Sequence, residues 1–172
     1  KDGIYCTQDS ISENAYSAYV ATPQGAEVAG NDYDWLIYGQ NKQADEALGI
    51  STNNYAFRIM RKIPTANAVM VLDIDSKFIL NAMQSLDPGK GGYVALITSD
   101  GKEFYSDQEL DSSVIRFYGK DFYAKACESE EQSGNSTAYI DGKEYLFVYS
   151  KLPTGGLMAA ALIPADTLLK QT

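Results

Sequence analysis

The hydrophobic pattern of the C-terminal half predicts a five-stranded antiparallel sheet. Ser99–Lys102 is a turn between the first two strands, and Asp141-Gly142 links the third to the fourth, because this dipeptide readily adopts the positive φ angles of a two-residue hairpin turn. Residues 112–131 carry apolar side chains at helical spacing, interrupted at Gly119, which predicts two short helices across the sheet. The predicted strands are Tyr93–Thr98, Glu103–Tyr105, Thr137–Ile140, Glu144–Leu152 and Leu157–Ile163.

Part of this pattern is repeated in the N-terminal half. Tyr55–Thr65 resembles Tyr145–Thr154, since Tyr-x-Phe and Lys-[Leu/Ile]-Pro-Thr recur with one gap, and an apolar segment follows each. Ala18–Gly25 likewise resembles Gly92–Gly101, each read as an apolar strand that enters a glycine-containing turn. Two matched pairs in the same order favour an internal duplication over the chance recurrence of residues that strands prefer.

The predicted fold class is therefore α+β, with two tandem lobes that each contain an antiparallel sheet flanked by helices. The first lobe covers residues 1–75 and is shortened, with a strand at Trp35–Tyr38, a helix at Gln43–Leu48 and one strand missing or disguised. A connector helix and turn cover residues 76–90, because apolar residues recur at helical spacing from Phe78 to Leu86. The second lobe covers residues 91–172.

Composition narrows the possible partners. Among 172 residues, 14 are Lys or Arg and 23 are Asp or Glu, and the resulting net charge of −9 disfavours nucleic acid as a partner. The longest apolar run, Leu157–Ile163, has the length of a strand rather than of a membrane span. We expect the sequence to be an ectodomain, joined to a membrane only through flanking helices outside it.

Two further residue counts bear on chemistry. The chain has no histidine and no Walker A, G-x-S-x-G or Cys-x-x-Cys motif, so we predict neither catalytic residues nor a metal or cofactor. Asp73 and Asp75 at a strand end are more typical of capping or solvated carboxylates than of a catalytic pair. Cys6 and Cys127 could form one long-range disulfide or remain two buried, unpaired thiols, and the sequence leaves both alternatives open.

Four segments resemble the double-lobed form of the Cache superfamily, the PAS-like extracytoplasmic sensor domains of bacterial chemoreceptors, sensor kinases and diguanylate cyclases. They are Val69–Ile74, Leu86–Ile97, Asp100-Gly101-Lys102 and Tyr145–Pro164, and the resemblance extends over about residues 55–170. It implies a small-molecule ligand in the membrane-distal N-terminal lobe, a homodimer in the full-length receptor and a place on the extracytoplasmic side of the cell membrane. Cache domains begin with a long helix, of which only Ile11–Ala15 could be a remnant here.

A ligand pocket needs apolar walls and a few converging polar groups. Asp73 stands where the resemblance places the carboxylate that receives a ligand ammonium, while an arginine would bind a ligand carboxylate. Arg58 and Arg61 are three residues apart on a strand, so at most one can point inward, and Trp35 is interpreted as a core residue rather than a ligand contact. The candidate ligand-binding residues are Tyr33, Trp35, Tyr38, Tyr55, Arg58, Arg61 and Asp73.

These observations predict the ligand-sensing domain of a transmembrane chemotaxis receptor that binds an amino acid or a small carboxylate. One alternative is the sensor domain of a histidine kinase or a diguanylate cyclase. The other is an envelope module that mediates interaction or dimerisation and binds no small molecule.

Overall fold

The computed structural model describes residues 14–50, 54–65 and 68–168. Within these ranges, the structure contains six short helices and eight strands. In order they are α1 Ala15–Val20, α2 Pro23–Gly30, β1 Leu36–Tyr38, α3 Lys42–Leu48, β2 Tyr55–Ile63, β3 Ala68–Asp75, α4 Ser76–Met83, β4 Tyr93–Ile97, β5 Glu103–Tyr105, α5 Asp121–Glu128, β6 Ser133–Ile140, β7 Lys143–Lys151, β8 Met158–Pro164 and α6 Ala165–Leu168.

The strands form two antiparallel sheets. The small sheet has the order β1-β2-β3, and the large sheet has the order β5-β4-β8-β7-β6. In the large sheet, β8 is buried at every second residue from Met158 to Pro164, as expected for a strand with one face toward the core. The predicted α+β class and the predicted five-stranded sheet are confirmed, including the turn at Asp141 and Gly142, where φ is 50° and 77°.

Aromatic side chains fill the core of the large sheet. Phe147 of β7 is fully buried, and Phe122 of α5 packs on it with ring centroids 4.8 Å apart. Phe117, from the segment before α5, lies 6.4 Å from Phe147 by the same measure. The helix and its preceding segment therefore cover one face of this sheet.

The predicted strand at Ala18–Gly25 is wrong, because this segment forms the end of α1 and the start of α2. The Thr22 hydroxyl accepts the backbone N–H of Gly25 at 3.0 Å, and Pro23 occupies the first position of α2, so the local sequence caps a helix. Gly25 also packs against the Tyr19 carbonyl, where a Cβ atom would lie 1.9 Å from the oxygen. Of the two sequence matches, only that between Tyr55–Thr65 and Tyr145–Thr154 relates one strand to another.

The prediction of two helices in residues 112–131 is also wrong, since the described segment contains α5 alone. The Glu103 carboxylate accepts the backbone N–H groups of Arg116, Phe117 and Tyr118 at 3.0, 2.9 and 2.8 Å. These donors are satisfied by a side chain on β5, so the segment needs no helical hydrogen bonds. The helix predicted within residues 76–90 is confirmed as α4, although it ends at Met83 rather than at Leu86.

Some expectations fall on residues outside the described ranges. Cys6 and residues 11–13 lie there, so the disulfide and the start of an N-terminal helix stay predictions. Cys127 is exposed on α5, which contradicts a buried thiol at this position. Among the described helices, none combines the length and hydrophobicity needed to cross a bilayer.

The two sheets meet along β1. Ile37, Phe57 and Leu157 are buried together at this seam. Ser99, in the turn after β4, donates its hydroxyl hydrogen to the Ile37 carbonyl at 3.0 Å, and the Asp100 carboxylate accepts the Gly39 N–H at the same distance. The side chains of Ser99 and Asp100 therefore hold the backbone on both sides of Tyr38.

We predict that Asp100→Ala lowers the free energy of unfolding by about 1–3 kcal/mol, because it leaves the buried Gly39 N–H without its acceptor. Asp107→Ala is the matched control, since within the described part of the chain the Asp107 carboxylate accepts only the exposed N–H of Glu109 in its own loop. Urea unfolding followed by circular dichroism measures both. Equal losses in the two variants would show that the hydrogen bond between the sheets contributes nothing of its own.

Candidate functional site

A row of three polar residues crosses the small sheet. Tyr38 on β1 is directly opposite Arg58 on β2, and Arg58 is directly opposite Asp73 on β3. Directly opposite residues of antiparallel strands project from the same face of a sheet. Helices α1, α2 and α3 cover this face with apolar side chains, among them Val28 and Leu48. The row therefore lies between the small sheet and its three helices.

A β-bulge brings Tyr55 to the same face. Tyr55 precedes Arg58 by three residues, and regular alternation would place the two side chains on opposite faces. The register with β3 shifts between Tyr55 and Phe57, so Ala56 is the extra residue of β2. As a result, the Arg58 guanidinium lies over the Tyr55 ring, with its Cζ atom 4.6 Å from the ring centroid.

Arg58 is paired with two carboxylates. Its Nε donates to Asp73 Oδ1 at 2.6 Å, and its Nη2 lies 2.9 Å from Asp73 Oδ2 and 2.7 Å from Asp45 Oδ1. Asp45 belongs to α3 and accepts the Tyr55 hydroxyl hydrogen at 2.9 Å. The side chains of Arg58 and Asp45 are 1% and 0% exposed, whereas that of Asp73 is 26% exposed. We call Tyr38, Asp45, Tyr55, Arg58 and Asp73 the Arg58 cluster.

Burial and charge act together on the ionisable groups of the Arg58 cluster. Burial by itself lowers the pKa of Arg58, but the hydrogen bonds and charge of Asp73, followed by Tyr55 and Asp45, outweigh it, so the pKa is raised. Burial raises the pKa of Tyr55 to about 12, opposed in part by the charge of Arg58. It also raises the pKa values of Tyr19 and Tyr38 well above the usual range. Arg58 is consequently a permanent cation surrounded by neutral phenols.

Two buried polar atoms of the Arg58 cluster have no hydrogen-bond partner among the described residues, namely Arg58 Nη1 and the Tyr38 hydroxyl. After burial, a side-chain hydrogen bond to Glu27 is the next cause of the raised Tyr38 pKa, so Arg58 Nη1 is the atom of the two with no candidate partner among the described residues. An unsatisfied buried polar group costs about 1–3 kcal/mol. Both side chains project from the same face, so a ligand oxygen placed between the strands and the helices could satisfy these donors.

The structure brings together four of the seven sequence-predicted residues: Tyr38, Tyr55, Arg58 and Asp73. Arg61 projects from the opposite face, where its guanidinium lies 5.0 Å from the Trp35 ring centroid, so the prediction that at most one arginine points inward is confirmed. Tyr33 is 81% exposed in the loop before β1.

Sequence reasoning missed Asp45 and Tyr19. Tyr19 of α1 is buried and donates its hydroxyl hydrogen to Gln24 Oε1 at 3.2 Å, within the electrostatic reach of Arg58. Asp45 lies three residues before Leu48, a spacing that places both side chains on one face of the predicted helix. This spacing could have identified Asp45 from the sequence, because a carboxylate on the apolar face of a helix requires a buried partner.

A separate cleft of about 450 Å³ lies beside the seam between the sheets. Apolar residues Phe57, Leu96 and Phe104 line it, together with the polar residues Gln40 and Lys102. None of the seven sequence-predicted residues lines it. Within the described ranges, no three His, Cys, Asp or Glu side chains are grouped as a metal ion would require.

Solved structures of sensor proteins resemble this chain in overall fold. The extracellular domain of the candidate histidine kinase rpHK1S-Z16 superposes with a TM-score of 0.60 and 20% sequence identity, over 86% of this chain and 61% of its own length. The corresponding domain of mmHK1S-Z3 gives 0.56 and 13%, over 89% and 57%. Methyl-accepting Chemotaxis protein X gives 0.51 and 15%, over 84% and 55%. This chain has the fold of extracellular sensor domains.

The similarity has a defined extent. The chain spans less than two thirds of each of these three solved chains. No protein-family model matches the sequence, and no curated protein matches it. At these identities the likeness establishes the fold, while the ligand has to be argued from the residues of the site.

We predict that Arg58→Gln lowers the free energy of unfolding by about 3–5 kcal/mol, because Asp45 is left as a buried charge without a counter-ion. Adding Asp45→Asn to Arg58→Gln should restore part of the loss, since the second change removes that charge. Arg61→Gln, on the opposite face of the same strand, is the control, with an expected loss below about 1 kcal/mol. Urea unfolding of the four proteins tests this, and equal effects of Arg58→Gln and Arg61→Gln would contradict it.

Stability should fall as the pH rises from 10 to about 12. The pKa of Tyr55 is raised from 10.0 to about 12, so the unfolded chain loses this proton first and unfolding is favoured progressively across that window. Tyr55→Phe should make the loss of stability between these two values less steep, whereas Tyr33→Phe should leave it unchanged. The measurement is the urea midpoint as a function of pH, and identical slopes for the two variants would refute the assignment.

Proposed function

We propose that the chain is the extracytoplasmic ligand-sensing domain of a transmembrane receptor of the Cache type, and that its ligand binds at the Arg58 cluster. The observation that carries this proposal is the buried Arg58 Nη1, which has no partner among the described residues and is accompanied by the Tyr38 hydroxyl. Buried polar groups of native proteins are nearly all hydrogen-bonded, so an unsatisfied one requires an explanation, such as a bound ligand, water or ion. The sensor fold supplies the context in which a small-molecule ligand is that explanation.

The domain arrangement belongs to the same proposal. Residues 1–75 form a shortened distal lobe around the small sheet, residues 76–90 a connector that contains α4, and residues 91–172 a proximal lobe around the large sheet. The equivalence of β2 with β7 supports it, because both have nine residues and share the Tyr-x-Phe and Pro-Thr positions. Each is followed by an apolar strand that pairs with it in an antiparallel manner.

The proposed ligand is an amino acid or a small carboxylate. An oxygen of the ligand would accept hydrogen bonds from Arg58 Nη1 and from the Tyr38 hydroxyl. Asp73, the partly exposed carboxylate of the Arg58 cluster, would receive an ammonium group while it remains paired with Arg58. Tyr33, Trp35 and Arg61 contribute to binding only if the lobe rearranges, since Arg61 and Trp35 face away from Arg58.

Signal transmission would begin at β1. This strand carries Tyr38, and its backbone is held by Ser99 and Asp100 of the large sheet. If β1 can occupy two positions, a ligand that binds more tightly to one of them shifts the equilibrium toward that position. The arrangement of the sheets and of α4 would shift with it. The full-length receptor would be a homodimer anchored by flanking membrane helices.

The output of the receptor has two candidates. The solved structures of this fold include a methyl-accepting chemotaxis protein and the extracellular domains of candidate histidine kinases. We propose a chemotaxis receptor, with a histidine kinase or a diguanylate cyclase as the alternative, and the ligand-binding step is the same in each.

An interaction module without a small-molecule ligand is the second candidate function. Solvent has almost no access to the centre of the Arg58 cluster, because the side chains of Arg58 and Asp45 are 1% and 0% exposed. This burial favours a module that binds no small molecule. A ligand can reach Arg58 only after α3 or a neighbouring segment moves. The two candidates therefore differ in whether any small molecule stabilises the domain.

Thermal-shift measurements against amino acids, amines and small carboxylates decide between them. A ligand at about a hundredfold excess over its Kd should raise Tm by about 5–10 °C. Asp73→Asn should abolish the shift for an ammonium-bearing ligand. Asp75→Asn is the matched control, because among the described residues the Asp75 carboxylate accepts only the Phe78 N–H as the cap of α4, and asparagine preserves that cap.

Loss of binding in Asp73→Asn with retention in Asp75→Asn supports the site. Unchanged affinity in Asp73→Asn removes this residue from it. If no compound class stabilises the wild-type domain, the interaction module replaces the sensor as the proposed function.

A further inference from the structure

The guanidinium of Arg58 offers two bidentate edges to carboxylates. Asp73 occupies the first edge through Nε and Nη2, at 2.6 and 2.9 Å. The second edge consists of Nη1 and Nη2, and Asp45 already lies 2.7 Å from Nη2, while Nη1 has no partner among the described residues. A ligand carboxylate that approached the second edge would therefore meet a carboxylate of the protein on half of it.

Asp45 is held firmly in this position. The Tyr55 hydroxyl lies 2.9 and 3.0 Å from the two Asp45 oxygens, and it also accepts the backbone N–H of Asn41 at 3.2 Å. Asn41 in turn caps α3 by accepting the Ala44 N–H at 3.1 Å, and Gly49 ends the helix in the left-handed conformation. The helix that carries Asp45 is thus fastened to the same tyrosine that stacks on Arg58.

Charge strengthens the effect of this geometry. Asp45 and Asp73 together place two negative charges against the single positive charge of Arg58. A ligand with only a carboxylate would add a third negative charge to a group whose net charge is already negative and of which Arg58 and Asp45 are buried. A ligand that also carries an ammonium group adds no net charge.

We propose that Asp45 is a specificity-determining residue, an internal carboxylate that occupies half of the second edge of Arg58 and so excludes ligands whose only charge is a carboxylate. This inference rests on the proposed function, because it takes the Arg58 cluster as the ligand site. It also narrows the proposed ligand, since amino acids are then favoured over simple carboxylates.

The test compares wild type with Asp45→Asn, using acetate as the probe and chloride at equal ionic strength as the reference. Asparagine keeps the size of the side chain and can still accept from Tyr55, but it removes the negative charge. We expect Asp45→Asn to bind acetate roughly tenfold more tightly or better, as a newly available charge-assisted hydrogen bond predicts. Glu46→Gln is the matched control, because it removes the same charge from the exposed side of α3.

Isothermal titration and thermal shift give the acetate affinity. A gain in Asp45→Asn that is absent from wild type and from Glu46→Gln supports the proposal. No gain in a folded Asp45→Asn protein overturns it, as does an equal gain in Glu46→Gln. If Asp45→Asn does not fold, Tyr55→Phe replaces it, since this change removes the hydroxyl that seats Asp45, and a wild-type response to acetate in that variant overturns the proposal.

The proposed function and this inference can fail separately. If the wild-type domain binds no amino acid or amine and Asp45→Asn gains acetate binding, Asp45 blocks Arg58 but the domain does not sense these compounds. If the wild type binds an amino acid through Asp73 and Asp45→Asn gains nothing, the sensor stands and the role assigned to Asp45 is refuted.

Discussion

The burial of one guanidinium between two carboxylates is the constraint on which the N-terminal half of the fold depends. An unpaired buried charge costs several kcal/mol, so Arg58 can occupy the middle of the small sheet only when Asp73 and Asp45 are both in place. Asp73 arrives through the register of β2 with β3, and Asp45 through the docking of α3. The small sheet and α3 therefore stabilise each other through Arg58, and we expect the N-terminal half to unfold cooperatively.

The parts of the fold that sequence predicted are those specified by local signals. In the large sheet, alternation along β8 and the positive φ angles required at Asp141-Gly142 define strands and turn without distant partners. The segment before α5 could not be assigned in this way, because its backbone donors are satisfied by Glu103, more than ten residues away in sequence. At Ala18–Gly25, a residue composition that suits a strand was outweighed by helix capping at Thr22.

The same distinction between local and distant signals applies to the residues of the site. Periodicity correctly predicted that at most one of the two arginines points inward, but it could not anticipate that the extra residue Ala56 turns Tyr55 toward Arg58. Asp45 escaped prediction because an acidic residue in a short helix is normally solvated, and only its spacing from Leu48 indicates otherwise. Residues identified by type alone, such as Trp35 and Arg61, lie on the opposite face of the sheet, because side-chain direction depends on register and not on chemistry.

Closure of the Arg58 cluster is compatible with sensing because the donors within it are incompletely satisfied. A ligand changes a conformational equilibrium only by its difference in affinity for the two states. In the closed state, Asp45 holds Nη2 and leaves Nη1 unpaired, so a rearrangement of α3 that admits a ligand oxygen exchanges one set of hydrogen bonds for another. That exchange costs less than exposing an isolated buried charge, since Asp73 remains on Arg58 throughout. Because the backbone on both sides of Tyr38 is hydrogen-bonded to the side chains of Ser99 and Asp100, a displacement of Tyr38 would reach the large sheet through these two side chains.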